Sequence, residues 1–234
     1  MEKLLDKINK GIIARREKEP ARDYLGASSA GKACVRQWQF SLLNVPKDKP
    51  FTAEKLRIFD VGNMYEELAI KWIREAGIRL DTHDKDGKQF GFEYKDANFK
   101  GHIDGIIYYI GKRLWECKSM NQSSFKELIR KGIKESHFSY FIQAQIYMKN
   151  MGLTEYPAIL TAVNKNNGDI VNIEIAFDSF YADKYINRAL HALKDIEHGN
   201  ILERESPSET MEKCRMCAWN KKCWDRKNER IFEK

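Results

Sequence analysis

The sequence has no apolar run approaching the ~20 residues that a membrane-crossing helix needs, and it has no internal repeat or low-complexity tract. These absences argue against a membrane span, a solenoid and a disordered chain as the organising plan. It also lacks a secretion signal: the first twenty residues, MEKLLDKINKGIIARREKEP, mix acids and bases with Leu4, Leu5, Ile8, Ile12 and Ile13. That pattern reads as an amphipathic docking helix, so a cytoplasmic location is expected. Five cysteines, an odd number without an export signal, argue against a disulfide framework and for ligation or plain packing. A phosphate-binding P-loop is missing too. Residues 26–33, GASSAGKA, come near it, but Ala33 replaces the Ser or Thr that would hold Mg²⁺, and no apolar strand precedes Gly26. An ATPase is rejected.

What remains is one large domain, or one domain with a small appendage. The chain has 234 residues, 42% of them hydrophobic, enough for a packed core. Lys and Arg outnumber Asp and Glu, 41 to 34, giving a net charge of +7 and a pI near 9.0. This is a mild lean toward a polyanionic partner.

The stretch 101–118, GHIDGIIYYIGKRLWECK, organises the rest. Two runs of β-branched and aromatic residues, 99–110 and 113–120, flank an Ile110-Gly111-Lys112 corner suited to a hairpin. Residues two apart in a strand share a face, so Glu116 and Lys118 point one way and Trp115 and Cys117 the other. On the first strand Asp104 shares a face with His102 and Ile106. In register, Asp104, Glu116 and Lys118 converge. Buried charges must be paired or bind a metal, and two carboxylates suit Mg²⁺ or Mn²⁺. The lysine then orients or deprotonates a metal-bound water and neutralises charge on a phosphate. The bland alternative is a Glu116–Lys118 ion pair on a solvated face.

Helical spacing covers 52–76, with Leu56, Phe59, Met64, Leu68, Ile70, Trp72 and Ile73 on its apolar face and Gly62 inside it. Glu66 and Glu67 follow one turn on. Residues 20–32 read as a Gly/Ser/Ala-rich link, 81–88 as a loop and 89–94 as a strand. A basic helix, 123–134, turns Phe125, Leu128, Ile129 and Ile133 inward. It displays Lys126, Arg130, Lys131 and Lys134, a face that suits a phosphate backbone or simply water. A second helix spans 137–150. Strands 157–163 and 170–177 join through Asn-Asn-Gly-Asp, and Asp178 caps a helix ending at Gly199. The order makes an α/β protein with a mixed central sheet flanked by helices.

Near the carboxyl end stands Cys214-x2-Cys217-x5-Cys223. Three soft ligands in so polar a segment point to zinc or an iron–sulfur cluster, either of which commonly takes four. Cys34 is the expected fourth, since Cys117 is tied into the strand; His191 and His198 are alternatives if the metal is zinc. Such a site joins the two ends of the chain.

Together these motifs resemble the PD-(D/E)XK nuclease superfamily, in its RecB-like branch with a carboxyl-terminal iron–sulfur cluster, which includes CRISPR-associated and phage exonucleases. The resemblance runs from Cys34 to Cys223. It implies a restriction-endonuclease-like core at 51–202, between an N-terminal helical segment at 1–50 and a cysteine segment at 203–234. It places the family's metal-binding aspartate on Asp104, its E-x-K on Glu116 and Lys118, and its Q-x-x-x-Y on Gln143 and Tyr147. It also implies that Cys34, Cys214, Cys217 and Cys223 hold a 4Fe–4S cluster, in preference to zinc. Many members carry histidine four residues after the helix glycine, where this chain has Glu66. The ligand role passes to that carboxylate.

The expected activity is Mg²⁺- or Mn²⁺-dependent hydrolysis of DNA, as an exonuclease acting on single strands or free ends in phage recombination, repair or CRISPR-type processing. Glu66, Asp104, Glu116 and the main-chain carbonyl of Cys117 hold the metal. Lys118 and Gln143 assist, Tyr147 stacks on a base or packs, and His102 touches a phosphate. If the chain is phage-encoded, its place is the host cytoplasm; oligomers are an open possibility. Competing readings are a non-catalytic DNA-binding module and a zinc-stabilised interaction protein.

Overall fold

The structure is a computed structural model that describes residues 2–31 and 34–225; Lys32 and Ala33 of the incomplete P-loop lie outside them. In chain order it forms α1 (Leu4–Glu17), a two-residue strand β1 (Leu25–Gly26), α2 (Ala27–Ala30), α3 (Val35–Leu42) and α4 (Ala53–Glu75). Five strands follow: β2 (Arg79–Asp81), β3 (Gly91–Tyr94), β4 (Phe99–His102), β5 (Gly105–Tyr108) and β6 (Lys112–Met120). Next come α5 (Gln122–Lys131), α6 (Ile133–Ser136), α7 (Phe138–Met151), β7 (Ala158–Asn164) and β8 (Ile170–Ile175). The chain continues through α8 (Ser179–Glu197), α9 (Glu212–Arg215) and α10 (Asn220–Trp224). No helix among the described residues is long and apolar enough to cross a membrane.

These elements divide into two compact units, one built from residues 26–32 and 61–188, the other from 1–25, 33–60 and 189–234. The first unit holds a five-stranded sheet of order β2-β5-β6-β7-β8, flanked by helices. Its pairs are antiparallel except β6–β7, which run parallel. A parallel pair needs a crossover connection, and α5, α6 and α7 supply it. On one face Leu80, Ile107, Trp115, Cys117 and Ile159 pack with Ala69, Trp72 and Ile73. One polar chain crosses the sheet: the Trp115 indole donates to Thr161 Oγ1 (2.9 Å), which donates to Asn172 Oδ1 (2.8 Å). The opposite face, by strand alternation, carries Glu116 and Lys118.

Local chemistry explains the crossover helices. The Asn121 side chain accepts the Ser124 N–H (2.8 Å) and caps α5. Gly132, at φ +72°, then turns the chain where a residue with a Cβ would be strained, so the basic helix expected over 123–134 breaks into α5 and α6. Ile129, expected inward, is exposed. At α8, Asp178 Oδ1 accepts the Phe180 N–H (3.1 Å), the expected cap.

Two further expectations are corrected. Residues 99–110 are not one strand: β4 pairs with β3 in a separate small sheet of order β1-β4-β3, and β5 joins the large sheet. The break falls at Ile103-Asp104, where the Ile103 N–H bonds to the Phe90 carbonyl (3.0 Å) and leaves Asp104 free of either ladder. The loop expected at 81–88 does form; β2, an edge strand too short to show alternation, ends at its first residue, Asp81. The supposed link at 20–32 contains α2, whose Ala27 and Ala30 are fully buried. The Ile110–Gly111 corner does form, closing the Tyr108–Lys112 pair.

In the second unit, α1 forms as expected but buries none of its residues, and Leu4 is 75% exposed. Phe40 stacks on Trp219 with ring centroids 6.1 Å apart, and the Trp219 indole donates to the Val45 carbonyl (2.8 Å). The buried Gln39 side chain donates to the Asn200 carbonyl (2.7 Å) and accepts the Leu202 N–H (3.0 Å). Residues from the two ends of the chain thus share one core.

Gly101 is a close-approach position. A Cβ there would stand 2.5 Å from the Phe92 ring, 2.6 Å from the Tyr147 ring and 3.0 Å from the Ala27 methyl. Gly101→Ala should therefore cost about 1–3 kcal/mol by overpacking, read as a lower denaturant midpoint with an unchanged slope.

Candidate active site

β6 presents Glu116 and Lys118 on one face, and the broken strand before β5 delivers Asp104 to the same place. The Lys118 ammonium lies 2.9 Å from Glu116 Oε2 and 3.7 Å from Asp104 Oδ2. Asp104 Oδ2 also accepts the Cys117 N–H at 2.8 Å, which fixes its carboxylate against β6. From α7, Gln143 Nε2 donates to the same Glu116 oxygen at 3.0 Å. Glu116 is only 2% exposed, and its other oxygen, Oε1, is buried without a hydrogen-bond partner.

The electrostatics follow from this packing. Burial first, and the charge of Asp104 second, push Glu116 up to about 8. Glu66, on α4, is pushed up to about 7 by burial and then by Asp104, which places it beside the same centre. Burial works against the Lys118 ammonium, but the charges of Glu116 and Asp104 and the hydrogen bond to Glu116 more than offset it, so Lys118 is held protonated. Burial and then Asp104 push the Cys117 thiol up to about 12, so it stays a thiol packed beneath the site. Three acidic side chains to one ammonium leave oxygen donors in excess.

That excess tests the fit of a divalent ion. Oxygen donors from Glu66, Asp104 and Glu116, with an unpartnered oxygen on Glu116, are the donor set of a hard cation. Among the described residues no three His, Cys, Asp or Glu side chains already stand together at metal-binding distance. Here the carboxylates of Asp104 and Glu116 are drawn to the lysine instead. The fit is one of charge and donor type.

Tyr147 is 3% exposed, its ring edge-on to Phe92 at 6.2 Å. A ring so enclosed packs; of the two roles expected for it, stacking on a base is the one its burial opposes. His102 is exposed at the end of β4, opposite Gly91 in the small sheet, because the strand breaks before Asp104. The expectation that it shares a face with Asp104 fails for that reason. Lys126, Arg130 and Lys131 are exposed on α5, with Lys131 paired to Glu127 (2.9 Å). Glu67 is exposed, as expected. Two residues were not anticipated. His137 and Tyr140 stack in parallel, 5.6 Å apart and 7° from coplanar, and the Lys118 ammonium stands 5.6 Å from the Tyr140 ring. Ser124 Oγ and Ser136 Oγ hold the two nitrogens of His137 (2.6 and 2.8 Å). Only the break at Gly132 creates this arrangement, and no sequence motif announces it.

In the other unit, Cys34, Cys214, Cys217 and Cys223 line a single cavity of about 250 Å³. His191 and His198 do not line it. All four thiols are free of disulfides. Cys217 Sγ accepts from Gln37 Nε2 (3.6 Å) and from the Trp219 N–H (3.4 Å). Burial raises the Cys223 pKa, against the opposing pull of Arg36 and Arg204.

No protein-family model matches the chain, and no curated protein does. Solved structures do. The crystal structure of an alkaline exonuclease, LHK-Exo, from Laribacter hongkongensis aligns with a TM-score of 0.54 at 16% identity, over 81% of this chain and 93% of that one. LHK-Exo in complex with dAMP aligns with a TM-score of 0.53 at 18% identity, covering 76% of this chain and 90% of its own. The chain shares the fold of this alkaline exonuclease. A third structure, SSO0001, aligns at 12% identity with a TM-score of 0.48, over 93% of this chain and 95% of that one.

The raised carboxyls have a consequence for stability. Glu66 and Glu116 titrate above their ordinary value of 4.5, near 7 and 8. The folded protein then keeps protons that the unfolded chain has released. Their contribution is fully present below about pH 4.5 and is lost as pH rises through about 7 to 8. Without divalent ions the melting temperature should fall between about pH 5 and about pH 8.5, and Glu116→Gln should flatten that fall.

Proposed function

We propose that the chain is a metal-dependent deoxyribonuclease, an exonuclease hydrolysing phosphodiester bonds at DNA ends. The observation that carries this reading is the convergence of Asp104 and Glu116 on Lys118, with Glu66 alongside and a buried Glu116 oxygen left unpartnered. The shared fold with an alkaline exonuclease, one of whose structures holds dAMP, supports it. Recombination, repair and CRISPR-type processing all use this class of reaction.

Glu66, Asp104, Glu116 and the carbonyl of Cys117 would hold Mg²⁺ or Mn²⁺. Bound there, such an ion would supply a lowered pKa for a water and polarisation of the phosphate. Lys118, protonated beside two carboxylates, acts as a donor: it orients the attacking water and offsets negative charge building on the phosphate oxygens. Gln143 fixes one Glu116 oxygen, and the other, unpartnered, would be the one to bind the ion. The Cys117 N–H fixes Asp104 in the same way. Each residue holds the next in place before substrate arrives.

For the four cysteines we propose a 4Fe–4S cluster with a structural role. Four cysteines from distant parts of the sequence lining one cavity support a ligated group there, and the resemblance of their spacing to the cluster-bearing nucleases supports iron–sulfur over zinc. N–H donors aimed at Cys217 suit an anionic sulfur.

The test is degradation of end-labelled single-stranded DNA with Mg²⁺ or Mn²⁺. Asp104→Ala and Lys118→Ala should each lower the rate by about a hundredfold or more while the protein still melts cooperatively. Activity retained in both variants overturns the enzyme reading and leaves a DNA-binding module. For the cluster, anaerobically purified protein should be brown and contain iron. Cys214→Ser should lose colour and melt at a lower temperature, and a colourless zinc protein overturns this part.

A further inference from the structure

α8 opens with Ser-Phe-Tyr-Ala-Asp-Lys-Tyr-Ile-Asn-Arg, a sequence that repeats ring and cation at helical spacing. Phe180 and Lys184 are four apart, as are Tyr181 and Tyr185, with Arg188 three further on; residues at these separations share a helix face. α7 supplies Phe138 and Phe141 against them. The ring centroids of Phe180 and Tyr181 are 5.3 Å apart, those of Tyr181 and Phe141 5.2 Å, and those of Phe138 and Tyr185 5.9 Å. Cations stand over these rings: Lys134 is 4.3 Å from Tyr181, Lys184 5.6 Å from Phe180 and Arg188 5.8 Å from Tyr185.

Packing accounts for part of this. Phe141 is buried, and its edge contact with Tyr181 needs no further reason. Packing does not account for Phe180, which is 64% exposed beside an exposed lysine. A phenyl ring left in water forgoes the gain of burial. The two neighbouring acids are otherwise engaged: Asp178 caps α8 and Asp183 pairs with Lys149. The strip is therefore apolar in its rings and positive at its rim. On α5, by contrast, Lys126, Arg130 and Lys131 stand over no ring among the described contacts.

We propose that this strip of α6, α7 and α8 is a track for single-stranded DNA. Unpaired bases stack on Phe180 and the rings beside it, while Lys134, Lys184 and Arg188 follow the phosphates. The inference rests on the nuclease reading above and adds to it the class of strand and the surface that holds it. Charge complementarity selects a polyanion, and exposed rings select one with free base faces; in a duplex those faces are already stacked on each other. The place is suitable. Phe138 and Phe141 face α8, while Tyr140 and Gln143, on the same helix, reach Lys118 and Glu116. One helix width, about 10–12 Å, separates the strip from the acidic centre, so a strand engaged by one lies within a few nucleotides of the other.

The probe is a fluorescein-labelled oligo(dT) with the full chain in EDTA, so that binding is read without cleavage. Phe180→Leu keeps an apolar side chain but no π-face, and should weaken binding about tenfold; Phe180→Trp should restore it. Lys184→Ala should reduce the slope of log affinity against log salt by about 0.7. Equal melting temperatures show that each variant is folded. Wild-type affinity in the Leu variant, or tight binding confined to blunt duplex, overturns the track and leaves the nuclease reading to the Asp104→Ala assay. A wild-type protein that binds no single strand overturns the track as well, whatever that assay shows.

Discussion

The structure of the candidate site depends on one buried ammonium shared by two carboxylates. Charges taken out of water cost several kcal/mol each unless geometry and hydrogen bonds compensate. Here compensation is incomplete by design of the donor set. Lys118 bonds Glu116 and approaches Asp104, Gln143 steadies the same Glu116 oxygen, and the Cys117 N–H steadies Asp104. One oxygen of Glu116 and the carboxyl of Glu66 remain without positive charge of their own, and both acids answer by holding protons to higher pH. A metal-free centre of this kind stores an unmet demand for a cation. It is stable enough to exist because the surrounding sheet, with Trp115 and Cys117 beneath it, is densely buried.

Asp104 reaches this point only because its strand breaks. Had residues 99–110 run on as one strand, Asp104 would have been bound into the ladder with His102 on its own face. The chain instead changes sheets at Ile103, and the aspartate, released from ladder bonding, turns its carboxylate to the main chain of β6. The glycines of GHIDG serve the same break: at Gly101 the Tyr147 ring comes closer than any Cβ would allow. Tyr147 is thereby enclosed against Phe92, which makes it part of the packing beside the site and not a platform for bases. The exposed ring, Phe180, lies on α8.

The cysteine pocket is built by different means. Cys34 stands at the N-cap of α3, Cys214 and Cys223 lie in α9 and α10, and Cys217 lies between those two helices, so their gathering depends on long-range packing. Phe40 on Trp219 and the paired bonds of Gln39 to Asn200 and Leu202 bring the segments together with no covalent link. Closing so long a loop carries an entropic cost, and a ligated group in the cavity would offset part of it.

Local chemistry alone determined a good deal. The alternation of Glu116 and Lys118, the Gly111 corner, the Asp178 cap and the spacing of the last three cysteines are properties of a few adjacent residues, and each is seen in the fold. The order of helices and strands and the mixed sheet follow from periodicity in the same way. Tertiary structure decided what depends on residues far apart in sequence. It split the 99–110 run between two sheets, buried α2 and enclosed Tyr147. It also stacked His137 on Tyr140 beside Lys118 and left Phe180 in water. A strand pattern records which side chains share a face, but not which sheet the strand will join; a ring in a helix records apolar area, but not what covers it. Those outcomes belong to the packing of distant segments, and neighbouring residues carry no record of them.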